Sequence, residues 1–133
     1  MREGIRTKLR AFFLAESIVP ARDHGFNVQG YGLQSIAYPQ LPAEADVPAL
    51  YHLAVDGADD AVQSLDLFVR MPSGRSAGVQ MTPGEPWHGE IVQMCRVAFK
   101  AQVYGLFDVA LRVNGQEVAS CPLHIRPLAP GLL

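Results

Sequence analysis

The chain is 133 residues long and 14.5 kDa, the size of one domain with a core large enough to fold unaided. Hydrophobic residues make up 49% and charged residues 18%, which is too apolar and too weakly charged for a disordered chain. Twelve Gly and ten Pro exclude a long-helix bundle and leave few stretches for crossover helices, since each costs roughly 1 to 3 kcal/mol inside a helix.

The formal net charge of −2 predicts no global attraction to nucleic acid or to an anionic membrane. Arg2, Arg6, Lys8 and Arg10 crowd the first ten positions. They read as a solvated terminus leading into the first strand, with contact to RNA or an acidic partner the less plain reading. The basic arm spans residues 1–7, ahead of a folded region over 8–126 and a tail over 127–133. The apolar run from Ala11 to Ala15 stops at Glu16, too short for a signal peptide or a membrane span. A cytoplasmic setting is therefore expected, with Cys95 and Cys121 as free thiols. A bridge between them needs two late strands to bring them together.

Residues 8–15 read as a strand buried on both faces or a short helix. Asp23-His24-Gly25 signals a turn. Phe26 to Gln29 alternates and runs into Gly30-Tyr31-Gly32, where paired glycines suggest a bulge or a close backbone approach. Leu33 to Tyr38 is expected to continue that strand. Pro39, Pro42 and Pro48 bound a loop holding Glu44 and Asp46, and a strand follows from Ala49 to Val55. Ser64 to Arg70 alternates, with Phe68 the exception on its polar face. Gly78 to Met81 is a short strand, and Thr82 to Gly89 a loop. Residues 90–104 fit helix and strand equally well by period.

Asn114-Gly115 between two alternating runs is the strongest hairpin signal in the chain. It pairs Val113 with Gln116. The apolar residues then change face near Cys121-Pro122, so a bulge is expected there, with this part of the strand at an edge. Seven to nine short strands separated by turns predict an all-β chain, a single antiparallel β-sandwich of Ig-like or C2-like shape with little helix.

The sequence also resembles an uncharacterised family of bacterial β-sandwich domains of unknown function. The matching residues are Phe12-Phe13-Leu14-Ala15-Glu16, Gly25 through Gly32, Leu41-Pro42, and Gly105-Leu106-Phe107 through Asn114-Gly115 to Ile125. The resemblance covers about residues 8–126. It implies a strand over residues 91–99 and no particular activity. Phe107 stands where the family usually has Tyr, which removes the hydroxyl that a corner hydrogen bond would use.

Gly74-Arg75-Ser76-Ala77-Gly78 matches the G-x-S-x-G nucleophile elbow, and Asp108 and His124 follow in hydrolase order. The elbow needs a strand before Ser76 and a helix after it. The residues from Val79 to Pro86 cannot form that helix, so the match reads as a hairpin loop. His24, His52, His88 and His124 are dispersed, with no metal-ligand spacing. Asp56, Asp59 and Asp60 are the weak candidates for a metal ion, with Glu44 and Asp46 joining them if both loops share one end. A solvated turn is the plainer reading.

Trp87 and His88, in a Pro- and Gly-rich loop, and Tyr31 are the candidate interaction residues, because aromatic side chains anchor interfaces. No cofactor is expected. The function expected is a non-catalytic binding, assembly or structural module acting through strand edges or end loops. Its partner is a protein, either a second copy in a homo-oligomer or another chain, in a bacterial or phage setting. A sandwich that binds a small ligand or metal ion through loops at one end is the alternative.

Overall fold

The computed structural model describes residues 7–22, 25–55, 64–81 and 89–128. They form ten strands: β1 (Thr7–Leu14), β2 (Ser17–Pro20), β3 (Phe26–Gln29), β4 (Ser35–Tyr38), β5 (Ala43–Val55), β6 (Leu65–Arg70), β7 (Ser76–Met81), β8 (Gly89–Ala101), β9 (Gly105–Val113) and β10 (Gln116–Pro127). One sheet has the order β1-β5-β8 and the other β4-β10-β9-β6-β7, while β2 and β3 form a separate ribbon.

Two-residue alternation builds the core between the sheets. On β5, Ala45, Val47, Ala49, Tyr51 and Leu53 point inward, and Ile91, Val97, Phe99 and Ala101 do so on β8. They meet Leu65, Leu67 and Val69 of β6, the odd-numbered residues of β9 from Phe107 to Val113, and Leu123 and Ile125 of β10. Phe99 and Phe107 pack across the gap with ring centroids 5.4 Å apart. Tyr51 is 1% exposed, and its hydroxyl donates to Gln93 Oε1 at 2.5 Å, which satisfies a group that burial would otherwise penalise.

β1 is apolar on both faces because it serves two cores. Phe12 and Leu14 join the inter-sheet core. Phe13 falls in one cross-strand row with Leu50 and Met94 on the opposite face. The β2–β3 ribbon covers that row with Ile18, Phe26 and Val28.

Three local expectations change. Residues 43–48 are not a loop but the first half of β5, with Ala45 and Val47 buried and Glu44 and Asp46 exposed. Pro48 is tolerated there because its carbonyl accepts from Ala15 N–H on the β1 side, at 3.1 Å. Its nitrogen faces the same way, beyond the last paired residue of β1, so no ladder bond to β8 is lost. The chain does not continue straight from β3 into β4: Gly30 to Leu33 turn across the end of β1, where Gly32 and Leu33 N–H both donate to the Leu14 carbonyl. β4 then lies in the other sheet. Gly30 makes the expected close approach, against the Glu16 side chain.

The ambiguous segment is a strand, Gly89–Ala101, paired along its whole length with β5. The turn at Asn114-Gly115 forms as expected, with φ of 50° and 82°, and Val113 pairs with Gln116. The bulge, however, lies between Glu117 and Ala119 rather than at Cys121-Pro122. The extra residue, Val118, still packs on the core, and Ala119, Cys121 and Leu123 then face Leu111, Val109 and Phe107. Pro122 sits where β10 is an edge, because β4 pairs only with the segment from His124 onward.

The β4–β10 pairing is parallel; every other pairing is antiparallel. A three-stranded sheet facing one whose last four strands run β10-β9-β6-β7 is the arrangement of an immunoglobulin-like sandwich. No inter-sheet disulfide holds it: Cys95 and Cys121 are both free.

Candidate functional site

Most of the residues singled out from sequence lie outside the described residues. These are residues 1–6 of the arm, His24, Asp56, Asp59, Asp60, Trp87, His88 and residues 129–133 of the tail; Thr7 belongs to β1 and Pro127 to β10. Tyr31 is described. It stands at the bend between β3 and β4, 75% exposed, with its ring centroid 4.6 Å from that of Phe13.

Glu44 and Asp46 do not lie in a loop. They sit at the start of β5, and Val55 ends that strand about 30 Å beyond Asp46 at ~3.3 Å per residue. Asp46 is engaged by Arg96, whose Nε donates to Oδ1 at 2.8 Å. Among the described residues no group of three or more His, Cys, Asp or Glu could hold a metal ion.

Ser76 opens a strand instead of a helix, so the elbow does not form. Ser76 pairs with Arg70, and Arg70 with Asp108, which places Ser76 two strands from Asp108, about 10 Å at ordinary strand spacing. His124 lies on the next strand again, opposite Leu106. Three groups spread over four strands cannot pass a proton along hydrogen bonds of about 3 Å.

The two cysteines offer no nucleophile either. Burial pushes the Cys95 thiol up to about 12. Burial, and then the charge of Asp108, raise that of Cys121. A thiol held protonated near neutral pH is unreactive.

What the sequence did not single out is the side of the sandwich where β7 and β8 end their sheets. β7 hydrogen-bonds to β6 on one side only among the described residues. Its sequence, Ser-Ala-Gly-Val-Gln-Met, has no charge and no proline. Ala77 is in register with the inward Val69 yet is exposed, so at this point β7 lies at the margin of the core.

At the end of the same side a cleft of about 350 Å³ separates the β6–β7 turn from the end of β8. Met71, Val103 and Phe107 are its apolar lining, and Ser73, Arg75, Ser76, Lys100 and Gln102 its polar lining. The turn is fixed by its own bonds: Met71 N–H donates to the Arg75 carbonyl at 2.8 Å, and Gly74 N–H to the Met71 carbonyl at 2.9 Å. Gly105, at φ 144°, lets Pro72 of the turn come close; a Cβ on it would stand 3.1 Å from Pro72 Cγ. Arg75 was visible in sequence only as part of the false elbow, and Lys100 lies twenty-five positions away. No local signal joins them.

The remaining polar groups are largely engaged. Arg70 donates to Glu117 Oε1 at 2.7 Å. Arg112 lies over the Phe68 ring, 4.6 Å from its centroid, and Arg70 lies 5.4 Å from it. This explains the apolar exception on β6: Phe68 is 8% exposed because two guanidinium groups roof it. Arg126 donates to Ser35 Oγ at 2.7 Å. A second recess of about 410 Å³ between β4 and β5 includes Glu16, Ser35, Tyr38 and Asp46 in its lining. There burial, followed by the charge of Asp46, raises the Tyr38 hydroxyl pKa.

No protein-family model matches this chain. No curated protein matches it either. Among solved structures, one similar chain is an alkylpurine DNA glycosylase, AlkC, of Pseudomonas fluorescens, bound to DNA containing an abasic site analog. It shares 13% identity at a TM-score of 0.56 over 92% of this chain, which spans only 31% of the glycosylase. Another is an immunoglobulin-like protein from Pseudomonas aeruginosa, 14% identical with a TM-score of 0.49, covering 91% of this chain and 97% of that one. At such identities the likeness concerns the fold alone. Among the described residues no helix is long and apolar enough to cross a membrane.

Proposed function

We propose that this immunoglobulin-like domain is a non-catalytic assembly module that joins a second copy of itself by strand addition at β7. One observation carries the reading: among the described residues, β7 is the edge of the two facing sheets that lacks protection. A free edge presents unpaired N–H and C=O groups, and proteins blunt such edges with bulges, charges, prolines or short length. β1 has a bulge between Leu9 and Ala11. β4 has four residues and is followed by Pro39. β8 carries Glu90, Arg96 and Lys100. β7 has six residues and none of these devices.

Two uncharged copies of β7 can pair antiparallel about a two-fold axis without like-charge repulsion. Ser76 and Ala77 are exposed and leave the backbone accessible.

Light scattering across micromolar to millimolar concentrations tests the reading. The wild-type chain is expected to reach a dimer, and Ala77→Lys, which places a charge on the edge, to remain monomeric. A wild-type chain that stays monomeric throughout, or a dimer that Ala77→Lys leaves unchanged, overturns it.

A further inference from the structure

We infer that the cleft between the β6–β7 turn and the end of β8 is a binding site for an organic carboxylate carried on a small branched apolar group. The inference is independent of strand addition at β7. It begins with charge. Arg70 and Arg96 have carboxylate partners, and Arg126 has a hydroxyl. Arg75 and Lys100, which line the cleft, have no carboxylate partner among the described residues. Even Glu44, directly opposite Lys100 in register, makes no ion pair with it. Two unneutralised cations at one concave surface favour an anion there.

The shape and chemistry of the lining narrow the anion. A guanidinium presents a planar fork that matches a carboxylate, and an ammonium adds a point charge. The Ser73 and Ser76 hydroxyls at the turn and the Gln102 amide beyond the end of β8 add neutral donors. Met71, Val103 and Phe107 supply the apolar part. A fully solvated dianion such as phosphate gains nothing from those three residues, whereas a branched aliphatic body is drawn out of water by them. A volume of about 350 Å³ suits a small ligand or one terminal residue of a larger one.

The cleft is preformed. Hydrogen bonds within the β6–β7 turn set the backbone of Arg75, and the Gly105–Pro72 approach holds that turn against the start of β9. A preformed site loses less ordering entropy on binding. The same chemistry is offered by a free branched acid and by the C-terminal leucine of a peptide, and the two are separable by experiment.

The test is an amide chemical-shift titration of the full chain with 4-methylpentanoate and with N-acetyl-leucine. Their uncharged amides and inorganic phosphate serve as controls. Both acids are expected to shift Ser73, Arg75, Ser76, Gln102 and Val103 saturably, while the amides do not. Phosphate is expected to bind more weakly than either acid. Arg75→Ala and Lys100→Ala should each weaken the acids by about tenfold or more with the rest of the spectrum unchanged. Arg75→Lys should restore part of the loss. Tighter binding of N-acetyl-leucine supports the site with a peptide terminus as its source, and tighter binding of 4-methylpentanoate supports it with a free acid. Equal shifts from acids and amides, shifts centred elsewhere, phosphate binding as tightly as the acids, or full binding by both alanine variants would each overturn the assignment.

Discussion

Along one side of the sandwich, where β1 and β4 end their sheets, the chain closes on itself. Leu14, Ala15 and Glu16 bond to Gly32, Leu33, Pro48 and Gln29 through their backbones. Cys121 Sγ, on β10, reaches the Phe12 carbonyl at 3.5 Å. On the other side β7 and β8 show no such cross-bonding among the described residues, and the cleft lies between the β6–β7 turn and the end of β8. The two sides show how a small sandwich divides its work. Backbone groups satisfied within the chain give stability, and those left free are open to a partner.

The comparison can be broken by substitutions on the two sides. The largest effect belongs to the closed side. Leu14→Ala, at a position 1% exposed, should cost about 2–5 kcal/mol in urea unfolding. A cost below 1 kcal/mol would deny that this side carries the core. Gly105→Ala, at the cleft, should cost about 1–3 kcal/mol, because alanine rarely adopts its φ of 144° and its Cβ would press on Pro72. Unchanged stability would mean that the turn moves freely and the cleft is not preformed.

A third effect appears only in alkali. The Cys95 thiol is raised from 9.0 to about 12 by burial. Below pH 9 the thiol is protonated in both states and contributes no pH dependence. Above it the unfolded chain loses the proton while the folded chain keeps it, so stability falls as pH rises from about 9 towards 12. Cys95→Ala should make that fall shallower in urea titrations at successive pH values, with Cys121 and Tyr51 shifted the same way and still contributing. The smallest effect belongs to the open side: Ala77→Lys should change unfolding free energy by no more than about 0.5 kcal/mol. A larger loss would make β7 part of the structural core.

The sequence revealed the fold where local chemistry decides it. Asn114-Gly115 specifies its turn, and the alternation of β6 and β9 specifies their inner faces. The first half of β5 was hidden because Pro48 and two acids look like a loop. Their pattern makes sense only once Pro48 is seen to face the end of β1. The bulge was misplaced because Val118 is apolar and passes for the partner of Leu111; with that register kept, the change of face surfaces only at Cys121-Pro122. Residues 90–104 needed the long pairing with β5 to become a strand. The cleft was illegible for a different reason: Arg75 and Lys100 are brought together by two sheets meeting, and Arg75 sat within a motif that suggested other chemistry.

The parallel seam also bears on how the molecule is made. Ser35 to Tyr38 pair with His124 to Pro127, and Arg126 bonds to Ser35 across 91 positions. β10 also supplies Leu123 and Ile125, which are fully buried. During synthesis β4 therefore leaves the ribosome long before its partner β10 exists. A nascent chain halted before residue 123 should have ribbon and hairpin fragments but no closed core. Folding would complete only after that last strand emerges, and the sandwich would then close slowly, as contacts this distant require.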